Sequence, residues 1–230
     1  NVMKAMNLVK CNSIIFISSA TVYGIPNYLP VDENHSVNPI NPYGRTKLAI
    51  ELLLQDWFNS NVKNSCIIMR CFNPIGVDSS GLIGEDPPGV PKNLMPQIAE
   101  VALGKREFLT IYGNDYDTFD GTCVRDFIHV SDLALLHIKC LDYLIKNRKS
   151  LLINCGYGKG YSVYTIAKIF REKINKSTKI KFMKKRKGEI SVSFASINRM
   201  KKFLKWKPKY NKIEYILKSS IKWEKKLNHL

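Results

Sequence analysis

The sequence predicts an α/β fold built on a parallel sheet, and three stretches carry that expectation. Residues 13–18 (SIIFIS) and 66–72 (CIIMRCF) are short apolar runs of the kind found in strands buried on both faces. Between them a helical pattern opens at Tyr43-Gly44-Arg45-Thr46-Lys47 and runs to about Ser60. Strand, helix and strand within about 60 residues make one crossover unit, which implies parallel strands with helices packed on them.

The remaining elements follow in order. Residues 1–10 (NVMKAMNLVK) have helical spacing and read as the last turns of a helix whose beginning is absent. The strand at 13–18 runs into Ser18-Ser19-Ala20-Thr21, where small hydroxyl residues meet a loop rich in Pro and Asn (25–42). In the helix that follows, Ala49, Leu52, Leu53, Trp57 and Phe58 are the expected buried stripe. Residues 76–122 change texture to Gly, Pro, Asn and Asp, with one helical pattern at 94–103, and read as a loop-rich region facing a substrate. A strand at 124–130 precedes Ser131-Asp132, the expected cap of a helix at 133–146. A strand at 151–155, the turn Gly156-Tyr157-Gly158-Lys159-Gly160 and a helix near 163–174 come next. The chain closes with a strand at 179–183, a basic run at 184–187 and amphipathic helices at 198–204 and 213–226, without an internal repeat.

Composition narrows the function classes. Hydrophobic residues are 45% and charged residues 24% of the 230, ordinary for a soluble globular chain. No apolar run is long enough to cross a bilayer and no signal peptide opens the chain, so no membrane role is expected. The six cysteines show neither CxxC spacing nor zinc-type clustering, which fits a cytoplasmic protein and no metal site. The net charge of +17 is uneven: residues 1–138 hold 10 Lys+Arg against 14 Asp+Glu, whereas 139–230 hold 26 against 5. These lysines are not interleaved with stacking aromatics in a nucleic-acid module, so no specific nucleic-acid partner is expected and the charge reads as a solvated face.

The chemistry starts at Tyr43 and Lys47. Four residues apart on a helix, they leave the same face one turn apart. An ammonium held near a phenol favours the phenolate, which makes a base able to work near neutral pH. Ser19 stands at the carboxyl end of its strand, where ligands of open α/β sheets sit. The Gly156 turn does not match GxGxxG and lies late in the chain, so a dinucleotide-binding role is not expected of it.

Together SSATVYG, YGRTK, RCFNPIG, GEDPPGVPKNLMP, IYGNDYDTFDGTCVRDFIHVSDLA and NCGYGKGYSV resemble the UDP-glucose 4-epimerase family of the extended short-chain dehydrogenase/reductases. The resemblance covers nearly the whole chain and corresponds to the C-terminal two-thirds of such an enzyme. The family's first hundred or so residues, with the glycine-rich NAD loop, have no counterpart in it. It implies a Rossmann-like doubly wound parallel sheet, N-terminally truncated, with a smaller α/β substrate-binding domain. Residues 1–75 would be the remainder of the NAD-binding domain and 76–230 mainly the UDP-sugar domain, with 124–155 returning to the first.

The resemblance also implies roles. Tyr43 would take the proton of the sugar 4-hydroxyl while a hydride passes from C4 to NAD, and the 4-ketose would turn over before the hydride returns. Ser19 would hydrogen-bond the reacting oxygen, and Lys47 would tune Tyr43 and hold the nicotinamide ribose. Ser18 and Phe72 would complete the NAD contacts. Asn73, Asn93, Leu94, Tyr112, Arg125, Arg186 and Glu189 would hold the UDP-sugar, and the intact enzyme would be a homodimer. Ser193 occupies a position where the family carries a bulky tyrosine or a small residue; a small one leaves room for a 2-acetamido group and implies acceptance of UDP-N-acetylglucosamine and its galacto epimer. A related 4,6-dehydratase would need a carboxylate pair at Ala20 and Thr21, which this sequence lacks. The alternative reading is an inactive fragment that neither holds NAD firmly nor epimerises.

Overall fold

The computed structural model describes residues 1–228. A short helix, α1 (Val2–Leu8), leads into β1 (Ser13–Ser19), α2 (Pro42–Asn59) and β2 (Ser65–Cys71), the crossover unit expected from the sequence. β1 and β2 pair in parallel from Ser13↔Ser65 to Ser19↔Cys71, and β6 (Leu151–Cys155) extends the sheet in parallel on the far side of β2.

Alternation along β2 makes this a three-layer arrangement. Ile67, Met69 and Cys71 face Leu136, Cys140 and Leu144 of α4 (Val130–Asn147), with Met200 and Leu204 of α6 (Asn198–Leu204) in the same cluster. Cys66 and Ile68 face the other way, onto Leu54 of α2. Every residue of β2 is buried, which is why its sequence is apolar apart from Ser65 and Arg70.

A second sheet joins β3 (Asn73–Ile75), β5 (Val124–His129), β7 (Gly160–Ser162) and β9 (Val192–Ser193), with β7 antiparallel and the other pairings parallel. A third, two-stranded sheet pairs β4 (Phe108–Tyr112) with β8 (Lys179–Met183). Leu109 and Ile111 of β4 join one core with α3 (Leu94–Ala102), α5 (Val163–Lys173) and α7 (Ile213–Leu227). Fully burying an Ile, Leu or Phe side chain stabilises by about 1.5–3 kcal/mol, so Ile98, Leu109, Phe170 and Leu217 anchor this half. Within 124–155, α4 and β6 belong to the first sheet's layers and β5 to the second sheet.

Three expectations need correction. The 76–122 region, expected as loop around one helix, also holds the strand β4, formed by its pairing with β8. Ala49, Leu52 and Leu53 are exposed; α2 turns Gly44, Glu51, Leu54 and Trp57 inward, with Phe58 half-buried. The inner face carries a carboxylate, Glu51, so the hydrophobic pattern alone assigns the wrong phase. Nor do Ser131 and Asp132 cap α4. The Nδ1 of His129 accepts the Ser131 amide at 3.1 Å, and Asp132 instead accepts the Lys209 and Tyr210 amides, each at 2.9 Å. No described helix is long and apolar enough to cross a membrane.

Candidate functional site

Ser19 ends β1 and opens a single 3-10 turn, Ala20–Val22, where its Oγ accepts the Thr21 amide at 3.2 Å. α2 begins against that turn. Asn41 caps it by accepting the Gly44 amide at 2.8 Å. A Cβ at position 44 would stand 2.7 Å from the Thr21 carbonyl oxygen and 2.8 Å from Pro39 Cβ. Only glycine allows this approach, which brings the start of α2, and so Tyr43, beside the end of β1.

Tyr43 is 54% exposed, so its phenol is open to a ligand. Lys47 reaches back to the strand: its Nζ donates to the Ile17 carbonyl at 2.8 Å and lies 5.6 Å from the Tyr43 ring centroid. One hydrogen bond therefore anchors the ammonium one turn below an open phenol, at the carboxyl end of a parallel strand.

Beneath this corner lies a buried polar network that the sequence reading missed. The Ser18 hydroxyl points inward and donates to Glu51. Glu51 is wholly buried and pairs with Arg70, Nη2 to Oε2 at 2.6 Å and Nε to Oε1 at 3.1 Å. The Arg70 guanidinium lies 4.7 Å from the Tyr23 ring centroid, and Tyr23 donates to Asn154 Oδ1 at 2.6 Å. Burial pushes the Tyr23 phenol up to about 12, against the opposing pull of Arg70, so it stays protonated and structural. One signal was available: an arginine in the middle of the apolar run CIIMRCF demands a buried partner. Phe72 is buried among Val22, Tyr23, Val31 and Ala195.

A cavity of about 310 Å³ opens beside this corner, between α3, the second sheet and the basic run after β8. Asn73, Asn93, Leu94, Tyr112, Arg125, Arg186 and Glu189 all line it; Tyr43, Lys47, Ser18 and Ser19 do not. Asn73 immediately follows Phe72, so β3 links the corner to the cavity. Arg125 Nη1 donates to the carbonyls of Val124 (2.9 Å) and Ser191 (3.3 Å), and its Nη2 stands 3.7 Å from Glu189. The Arg186 guanidinium stacks 3.9 Å from the Tyr112 ring centroid and donates to the Lys92 carbonyl at 2.9 Å. Asn93 begins α3 without a side-chain cap, and its Nδ2 donates to Glu85 at 2.7 Å. Leu94 and Met95, the first two residues of α3, line the cavity, and their amides have no side-chain cap, an anion-favouring helix end. With Lys92, Arg125 and Arg186 this suits a phosphate-bearing ligand, and Tyr112 adds an aromatic face. Ser193 lies outside the lining, half-buried and in parallel register with Arg125.

The Gly156–Gly160 turn is an anion hole already filled from within. Asp126 accepts the amides of Tyr157 (2.7 Å), Gly158 (2.8 Å) and Ala195 (3.1 Å). Burial raises the Asp126 carboxyl, and these amide hydrogen bonds offset only part of the rise. The turn does not fit a dinucleotide pyrophosphate. Tyr43, Lys47 and Ser19 do fit the nicotinamide-ribose end of a dinucleotide, as open donors clustered at a strand end.

Comparison with known proteins places these features in context. The chain matches the model of the family described as GDP-mannose 4,6 dehydratase over residues 1–219. It is similar to a UDP-glucose 4-epimerase of Dictyostelium discoideum, 43% identical over 223 residues, covering 96% of this chain and 64% of that protein. A UDP-glucose 4-epimerase of Bacillus subtilis is 42% identical over 221 residues, covering 96% of this chain and 65% of that protein. Among solved structures, a UDP-glucose-4-epimerase from Stenotrophomonas maltophila, with bound NAD and formylated UDP-arabinopyranose, superposes with a TM-score of 0.95 at 38% identity. That match covers 99% of this chain and 68% of the other. The chain thus spans a little under two-thirds of the length of the curated relatives it matches.

Proposed function

The chain belongs to the UDP-glucose 4-epimerase family, and from that premise we propose that it serves the NAD-dependent interconversion of UDP-glucose and UDP-galactose. The observation that carries this reading is the convergence of Asn73, Asn93, Tyr112, Arg125, Arg186 and Glu189 on one cavity beside the Tyr43–Lys47–Ser19 corner.

Arg125, Arg186 and the uncapped start of α3 hold the diphosphate, and Tyr112 lies against the base. Asn73 positions the sugar where the cavity meets the corner. Tyr43 takes the proton of the 4-hydroxyl and returns it after the ketose has turned. Ser19 donates a hydrogen bond to the same oxygen, and Lys47, anchored on Ile17, holds the phenol's surroundings positive. NAD, when bound, supplies the hydride acceptor and donor at C4, with Tyr43, Lys47, Ser19 and Phe72 on its nicotinamide side; the Ser18 hydroxyl, turned inward to Glu51, supports this corner from beneath rather than touching the cofactor. Ala20 and Thr21 offer no carboxylate, so the same corner does not support 4,6-dehydration. The site is cytoplasmic in this reading, consistent with six free thiols. The whole enzyme is a homodimer in this reading, and Ile50, Leu52 and Leu53 leave an apolar face of α2 exposed for the contact.

The test supplies the protein with NAD and UDP-galactose and follows UDP-glucose; formation without net NADH supports the reading, and failure to bind either UDP-sugar contradicts it. Ser193 extends the reading to acetylated sugars. Ser193→Tyr is expected to abolish turnover of UDP-N-acetylglucosamine selectively while sparing UDP-galactose, measured as the ratio of kcat/KM values. An unchanged ratio removes Ser193 from specificity.

A further inference from the structure

We propose that Trp223, on α7 and outside the cavity, is a positioning residue that latches the strap 76–93 and so keeps Glu85 and Asn93 at the cavity wall. The proposal rests on the UDP-sugar reading of the cavity. The strap runs from the end of β3 to the start of α3; its Glu85, Lys92 and Asn93 line the cavity, and Trp223 does not. Gly76 fixes its beginning, with a positive φ of 85° that sets it against the His129 ring. The Val77 amide adds a hydrogen bond to Ser219 Oγ at 3.3 Å. Burial does not hold the middle of the strap, where Leu82, Ile83 and Val90 are all exposed. Among the described residues, the hydrogen bonds that tie 78–91 to anything outside that segment run through Glu85. Its carbonyl accepts the Trp223 indole N–H at 3.0 Å, and its carboxylate accepts Asn93 Nδ2 at 2.7 Å.

Gly84 supplies the other half of the latch. A Cβ there would stand 2.5 Å from Cγ and Cδ2 of Trp223, so the strap's backbone rests directly against the indole. The indole is itself placed by α7, whose Ile216, Leu217 and Ile221 are buried in one core with Ile98 of α3. One ring on a packed helix thus fixes the backbone at 84–85 and, through the Glu85 carboxylate, the side chain of Asn93. A strap without this hold must be ordered when the ligand arrives, which lowers affinity; a latched one is ordered beforehand.

Calorimetric titration of UDP into the wild type, Trp223→Leu, Gly84→Ala and the double variant tests this. Gly84 is not at positive φ, so alanine there meets the indole and no backbone strain. Each single variant is expected to bind UDP about tenfold more weakly than the wild type. The double variant is expected to bind no more weakly than Trp223→Leu, because the added methyl has lost the ring it strikes. Gly84→Ala leaves the core untouched, so its urea midpoint is expected to match the wild type, which separates positioning from a folding defect. Wild-type UDP affinity in Gly84→Ala, or losses that multiply in the double variant, overturns the proposal. Hydrogen exchange of residues 78–91 reads the latch without any ligand: faster exchange in Trp223→Leu supports it, and exchange equal to the wild type overturns it. A wild type that binds no UDP overturns the functional reading of the cavity, and the exchange result still decides the latch.

Discussion

Replacing Tyr43 with Phe is expected to lower kcat for UDP-galactose by about 10²–10⁴ while leaving UDP affinity unchanged. The expectation follows from where Tyr43 stands. It lies on the corner at the end of β1 and does not line the cavity proposed for the nucleotide. The substitution removes one oxygen from a half-exposed ring, so neither packing nor cavity shape changes. A proton-transfer group is lost and binding is not, which separates kcat from KM. Steady-state kinetics on UDP-galactose with saturating NAD, beside a UDP titration, reads both quantities. Equal losses in turnover and UDP affinity would place Tyr43 in binding and remove it from proton transfer.

The largest stability effect is expected at Glu51. Glu51→Ala leaves the Arg70 guanidinium, 4% exposed, without its bidentate partner and the Ser18 hydroxyl without its acceptor. Breaking a buried pair from one side costs about 3–5 kcal/mol, because an uncompensated charge remains in the interior. The loss appears as a lower urea midpoint at an unchanged m-value. The double change Glu51→Leu with Arg70→Met removes both charges and keeps volume, so it is expected to recover most of the loss. A single-variant cost below about 1 kcal/mol would mark the pair as behaving like an exposed one and contradict the burial argument. The network also underlies the reactive corner, since Ser18 precedes Ser19 and Glu51 lies one turn beyond Lys47 on α2.

What was legible in the sequence depended on whether local pattern or distant pairing set the structure. β6, β8 and α6 begin and end where the sequence pattern places them. β4 was hidden: residues 108–112 gain strand character from pairing with β8, some 70 residues further on, and the surrounding Gly, Asn and Asp read as loop. β3 was hidden by Pro74, which looks like a strand breaker but sits in a short strand of the second sheet. The phase of α2 was misread because periodicity counts Glu51 as an outer residue, whereas Arg70 and Ser18 hold it inside.

The site divides in the same way. The spacing of Tyr43 and Lys47 places both on one helical face from first principles, but the approach of α2 to Ser19 depends on Gly44, which spacing does not reveal. Cavity residues as far apart as Asn73 and Glu189 have no local signature linking them; resemblance to a family groups them, and the fold brings them to one cavity.

The most direct test of the central claim is the structure of this protein with UDP-galactose. The diphosphate is expected between Arg125, Arg186 and the start of α3, with the sugar 4-hydroxyl within hydrogen-bond reach of Tyr43 Oη and Ser19 Oγ. A nucleotide seated outside the cavity, or a sugar whose 4-hydroxyl points away from that corner, would contradict the account.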